Sequence, residues 1–93
     1  MEIDHTNLSR LDLNLLVAFD ALLSERNVTK AASRVGLGQS AMSHNLARLR
    51  RLFGDELFTR GADGMRPTPR ALALAQPVQE ALRKVQSAVL QGG

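Results

Sequence analysis

The sequence predicts a mainly α-helical fold: a three-helix core, a short β-hairpin and one long closing helix. Three observations predict it. Apolar residues recur at helical spacing in four stretches, around Leu15, Val28, Met42 and Ala71. Gly36 and Gly38 sit between the second and third of these, close enough to force a tight turn. From Leu57 to Thr68 the period shortens to that of strands, on either side of the four residues GADG.

Composition narrows the class. At 93 residues the chain has room for one small domain, and a domain of that size buries only about 60% of its unfolded surface, so contacts with a partner would help to stabilise it. The core must be aliphatic, because the only aromatic residues are three phenylalanines. There are no cysteines, which removes disulfides, thiolate metal sites and cysteine nucleophiles together. The first ten residues are polar and acidic, unlike a signal peptide, and no stretch reaches the roughly 20 apolar residues of a membrane span. A soluble, cytoplasmic chain with no membrane contact is expected.

Charge is unevenly distributed. Residues 1–29 hold two basic and five acidic side chains, a net −3, whereas residues 30–70 hold eight basic and three acidic, a net +5. A positive stretch of this kind is the footprint of a phosphate-binding surface. A solvated arginine face is the alternative reading of the same charges.

Residues 1–10 show no periodicity and are expected to be a flexible lead-in. Asp12 or Asn14 can cap the first helix, where Leu15, Leu16, Phe19, Leu22 and Leu23 form an apolar face, with Asp20 and Glu25 off it. This helix serves as a brace. Asn27 caps the second, whose Val28, Ala31, Ala32 and Val35 follow the i, i+3, i+4, i+7 pattern, and its alanine pair admits a close neighbour. Gly36 ends it, Leu37 is expected to turn inward and Gly38 opens the third helix.

On that third helix, about residues 39–53, side chains advance by about 100° each. Met42, Leu46, Leu49 and Phe53 make the buried stripe, while Ser40, His44, Ala47 and Arg51 face the other way, flanked by Ser43 and Arg48. Gln39 projects from the helix start toward the same side. A face of small, hydrogen-bonding and basic groups suits a DNA major groove, and two helices joined by a glycine turn are a helix-turn-helix signature. Ser43 and His44 do not make a nucleophile and base, since adjacent helical residues point about 100° apart and no third group orients the imidazole. With His5 and His44 the only histidines, a metal site is not expected either, nor any cofactor.

The strand-like segment 57–67 places Arg60 and Arg66 on the arms of a wing whose turn falls in GADG; a plain connecting loop is the alternative. Thr68 and Pro69 are a strong helix start. In the helix that follows, residues 69–91, Ala71, Ala75, Val78, Leu82, Val85 and Val89 are spaced four and three residues apart in turn, a heptad seam. Such a seam calls for a partner helix, most simply that of a second copy. Pro77 is expected to kink this helix, and Gly92 and Gly93 to be frayed ends or a truncation point.

These residues resemble a known family. VTKAASRVGLGQSAMSHNLARLRRLFGDELFTR followed by MRPTPRA is similar to the N-terminal winged helix-turn-helix domain of LysR-type bacterial transcriptional regulators, over about residues 11–90. LDLNLLVAFDALL and MRPTPRALALAQPV look most like the subgroup of nodulation-gene activators and naphthalene- or salicylate-responsive regulators. The resemblance implies a DNA-binding domain over residues 11–68 and a dimerising linker helix over 69–91, in a homodimer or, for a full-length protein, a tetramer. The effector-binding domain that normally follows is absent from this sequence, so a small-molecule effector would act only through that missing part. Matched position by position, Gln39, Ser40, Ser43 and His44 are base-reading residues of a double-stranded operator. Thr29, Arg48 and Arg60 meet the backbone, Arg66 lies on the wing, and Arg51 belongs with the phosphate contacts through its place on the polar face.

Two departures bear on specificity. Gly38, Gln39 and Ser40 stand where relatives commonly have serine, glutamine and proline, and His44 stands where arginine is frequent, so operator preference does not transfer from relatives. The expected function is sequence-specific DNA binding as the reading module of a dimeric transcription regulator, not an enzyme. A helical oligomerisation module that binds no DNA is the alternative.

Overall fold

The computed structural model describes residues 1–91; Gly92 and Gly93, expected as chain ends, lie outside the described residues. Along the chain come α1 (His5–Leu8), α2 (Leu13–Glu25), α3 (Val28–Arg34), α4 (Gln39–Phe53), β1 (Phe58–Gly61), β2 (Gly64–Pro67) and α5 (Pro69–Gln91). Helices α2, α3 and α4 pack on one another, and α5 lies against α2. This is a winged helix-turn-helix with a long closing helix. No helix among the described residues is long and apolar enough to cross a membrane.

The brace α2 forms where the sequence places it. Asp12 accepts a hydrogen bond from the Asn14 amide at 2.9 Å, and the buried face comprises Leu15, Leu16, Ala18, Phe19, Ala21 and Leu22. Phe19 is fully buried and meets the rings of Phe53 and Phe58 at centroid distances of 6.4 and 5.8 Å. All three phenylalanines thus join the brace, the end of α4 and the start of the wing.

The α3 cap is Asn27, which accepts from the Lys30 amide at 2.8 Å, and Ala31 and Ala32 are buried with almost no exposed surface. Gly36 takes a left-handed φ of +75°, so that the Leu37 amide reaches back to the Ala32 carbonyl at 2.8 Å and closes the helix end. The Leu37 side chain does not turn inward: it is 38% exposed, on a rim shared with Val17, Val35 and Ala41. Its main chain is committed to the helix end, which fixes the side chain outside the core.

The lead-in also differs from expectation. Asp4 accepts from the Asn7 amide at 3.1 Å and from Asn7 Nδ2 at 2.7 Å, capping the four-residue helix α1. None of its residues is buried, so local capping forms it without any apolar pattern to announce it.

The hairpin pairs Phe58 with Pro67, Thr59 with Arg66, Arg60 with Met65 and Gly61 with Gly64, antiparallel. Its turn is Ala62 and Asp63 alone, because both glycines of GADG belong to the strands. Gly64 has a φ of +117°, and a Cβ there would come 2.7 Å from the Arg26 carbonyl oxygen, so only glycine fits. That carbonyl accepts the Met65 amide at 2.9 Å and ties the wing to the α2–α3 corner.

Helix α5 runs unbroken through Pro77, an exposed position. Its heptad seam is divided. Ala71 and Val78 are buried in the chain's own core, Leu82 packs against that core and Ala75 is half-buried, whereas Val85 and Val89 are 42% and 70% exposed. The N-terminal part of the stripe expected to face a partner is therefore already occupied by α2, and Gln79 fixes this contact by donating to Asp20 Oδ1 at 3.0 Å.

Candidate nucleic-acid interface

The helix-turn-helix presents its polar residues as the helical period requires. Met42, Leu46 and Leu49 are buried, and Gln39, Ser40, Ser43, His44, Ala47 and Arg51 are exposed. Nothing large and apolar interrupts this face between Gln39 and Arg51. Gly38 starts α4 in an extended conformation without a side-chain cap, so the first-turn amides are left open toward solvent.

Four of the expected site residues come together. Thr29 at the start of α3, Gln39 and Ser43 on α4, and Arg60 on β1 line one open concavity of about 450 Å³, which has no carboxylate in its wall. The wing supplies its far side through Gly61, Ala62, Gly64 and Met65. Arg66 is not part of this group. In the ladder Arg60 stands opposite Met65 and Arg66 opposite Thr59, so the two arginines point to opposite faces of the hairpin. The Arg66 side chain lies over Gly61, where a Cβ would come 2.6 Å from Arg66 Nε.

Arg48 is half-buried and lines a different depression, with Arg51 and Arg10. Among the described residues the single ion pair is Arg34 with Glu25, at 2.6 Å, so Arg48, Arg51, Arg60 and Arg66 have no carboxylate partner. The surface stays positive where phosphate would approach.

Arg50 has a role that the sequence did not reveal. Its Nε donates to the Glu56 carbonyl at 2.8 Å and its Nη2 to the Phe58 carbonyl at 3.0 Å, so the half-buried guanidinium is turned toward the wing base. One guanidinium fork thereby fastens the wing's first strand to α4. Since its partners are main-chain carbonyls, which every residue possesses, no side-chain pattern could have shown it.

Asp55 completes the wing base. Its Oδ2 accepts from Thr68 Oγ1 at 2.7 Å and from the Leu57 amide at 2.8 Å, and Thr68 Oγ1 in turn caps α5 by accepting from the Ala71 amide at 3.2 Å. The Thr68 hydrogen bond, then the Leu57 amide, hold the Asp55 carboxyl below the ordinary carboxylate range, with a smaller contribution from Arg70.

Residues 13–72 match the family described as bacterial regulatory helix-turn-helix protein, lysR family. The chain is 56% identical over 80 residues to Nodulation protein D 1 of Bradyrhizobium sp. (strain NC92), covering 86% of this chain and 26% of that protein. Nodulation protein D 2 of Rhizobium meliloti (strain 1021) is 58% identical over 80 residues, with the same coverage, 86% and 26%. The chain thus spans about a quarter of the length of these relatives. Among solved structures, a probable transcriptional regulator from Pseudomonas aeruginosa superposes with a TM-score of 0.89 at 48% identity, over 96% of this chain and 30% of that one. The DNA-binding domain of BenM in complex with benA site 1 DNA superposes with a TM-score of 0.80 at 27% identity, over 88% of this chain and 92% of that one.

Proposed function

The chain belongs to the lysR family of bacterial regulatory helix-turn-helix proteins, and from that premise we propose that it reads double-stranded DNA by sequence, as the DNA-binding part of a dimeric transcription regulator acting at the bacterial nucleoid. The observation that carries the reading is the exposed face of α4, free of large apolar side chains, beside a cation-lined concavity. With α4 in the major groove, Gln39, Ser40, Ser43 and His44 meet base edges, which specify sequence. Thr29 and Arg60 reach the phosphates of the groove wall on the wing side. Arg66, on the other face of the hairpin, serves the flanking backbone or minor groove.

A second copy completes the module. Between α2 and α5 an open groove of about 490 Å³ is lined by Leu13, Val17, Leu82, Val85 and Val89 among others. Leu13, Val17, Val85 and Val89 are all more than a third exposed, and an apolar strip of this kind fits the same strip of a second copy. The seam of α5 thus contributes through its C-terminal part. Two α4 helices held this way would address half-sites about one helical turn, or a multiple of it, apart.

Anisotropy titrations on duplexes selected from a random pool test the DNA-reading role. Gln39→Ala is expected to relax base preference with the salt slope unchanged, and Arg60→Ala to lower the salt slope by about 1 on every sequence. A chain that binds no duplex even at low salt would instead be a helical oligomerisation module. For the dimer, Val89→Asp is expected to shift sedimentation toward the monomer without unfolding the core; an unchanged distribution refutes the α2–α5 strip as the contact.

A further inference from the structure

Arg10, Arg48 and Arg51, with Leu15 and Leu52, line one open depression of about 330 Å³. None of the three guanidinium groups meets a carboxylate among the described residues, where Arg34 and Glu25 make the single ion pair. Three like charges gathered around one concavity repel one another, and an anion seated among them would relieve the strain. The cluster is separate from the concavity that Arg60 closes, whose lining includes none of these residues.

Arg10 is held there by a segment with no other evident task. Helix α1 buries none of its residues, yet it is capped by Asp4 and closed by Ser9 Oγ donating to the Thr6 carbonyl at 2.8 Å. The Arg10 amide then donates to the Asn7 carbonyl at 3.2 Å and the Leu11 amide to that of Leu8 at 3.0 Å. Leu11 packs against the core. The Arg10 main chain is thereby fixed between a capped turn and an anchored side chain.

Position along α4 indicates what the anion is. At about 1.5 Å per residue, residue 51 lies about 12 Å along the helix from residue 43. That is also about the width of the major groove. Ser43 lines the same concavity as Arg60, so with Arg60 at one wall of the groove Arg51 and its neighbours reach the other.

We infer that Arg10, together with Arg48 and Arg51, forms a second phosphate clamp, which grips the DNA strand on the side of the groove away from the wing. The inference rests on the DNA-reading role proposed above. Its ligand is backbone phosphate, and the open, exposed depression has no enclosed donor set to retain a free anion. The lead-in is then part of the interface, and it enlarges the footprint of one copy beyond the helix-turn-helix and wing.

The test is the salt dependence of binding to a selected duplex for the wild-type chain, Arg10→Ala, Arg10→Lys and Arg60→Ala, with circular dichroism to confirm folding. Arg10→Ala is expected to lower the salt slope by about 1 and Arg10→Lys to restore it. In a scan of neutral methylphosphonate linkages, Arg10→Ala should lose its sensitivity at one phosphate and keep it at the phosphate on which Arg60 depends, a pattern that a merely structural role would not produce. An unchanged slope in Arg10→Ala beside a lowered slope in Arg60→Ala overturns the clamp and leaves the DNA-reading role standing. A wild-type chain that binds no duplex overturns both. Saturable binding of inorganic phosphate that Arg10→Ala abolishes would show a free-anion site and refute the backbone assignment.

Discussion

The two ends of α4 are held in different ways. At its N-terminal end Gln39 and Ser43 face a wing joined to the body by bonds between separate elements: the Met65 amide to the Arg26 carbonyl, and the Arg50 side chain to the Glu56 and Phe58 carbonyls. At its C-terminal end Arg48 and Arg51 line one depression with Arg10, whose segment is held mainly by bonds between residues three or four apart. The wing side is therefore a tertiary product that fails with the core. The lead-in side is local, and it can be altered while the core stays intact.

The largest test removes what both ends share. Phe19→Ala takes away a fully buried ring that touches Phe53 near one end and Phe58 at the base of the other. A loss of about 3–5 kcal/mol is expected in denaturant unfolding. Against a total of about 5–15 kcal/mol this leaves little margin, and both clamps should be lost together.

Gly64→Ala addresses the wing alone. The new methyl group would stand 2.7 Å from the Arg26 carbonyl at a φ that side chains rarely adopt, and about 1–3 kcal/mol of destabilisation is expected. If the ends are held independently, the Arg60 share of the salt slope falls and the Arg10 share survives. Equal loss of both would refute the comparison. A smaller effect, about 1 kcal/mol, is expected from Arg50→Ala, since the bonds lost are partly exposed. Arg50→Lys should recover little of it, because one ammonium cannot span two carbonyls in the fork geometry.

The smallest effect is that of pH. Asp55 titrates below its ordinary range in the folded chain, so its contribution to stability is complete above the unfolded-state pKa, about 3.9, and is lost as pH falls through the folded value. Thermal unfolding across the acid range should show Asp55→Asn with a flatter pH dependence than wild type. Identical profiles would show that the Asp55–Thr68 contact contributes nothing measurable.

Periodicity made the helices legible, since burying Met42, Leu46 and Leu49 requires exposing Ser40, His44 and Arg51 whatever else the fold does. Caps at Asp12, Asn27 and Thr68 were visible because they act within a few residues. Three features were not visible. Arg50 bonds to carbonyls, which carry no residue identity; the opposite orientation of Arg60 and Arg66 rests on the pairing of Arg60 with Met65, a register that residue types alone do not fix; and Ala71 and Val78 satisfy a heptad pattern inside their own chain. A seam in sequence states that a stripe is buried, without stating against what. Arg10 escaped notice because its cluster partners lie 38 and 41 positions away, joined only by the fold.

Leu57 is fully buried and yet has a φ of +64°. Its bend, just before β1, allows both Leu57 and Phe58 to enter the core, where neighbours in a straight strand would part to opposite faces. Glycine would accept that backbone but empty the core, asparagine would accept it but bury an amide, and isoleucine or valine would fill the space while resisting the backbone. A saturation library should therefore find position 57 nearly closed to replacement, and a gene that drifts there would have to change its neighbours first.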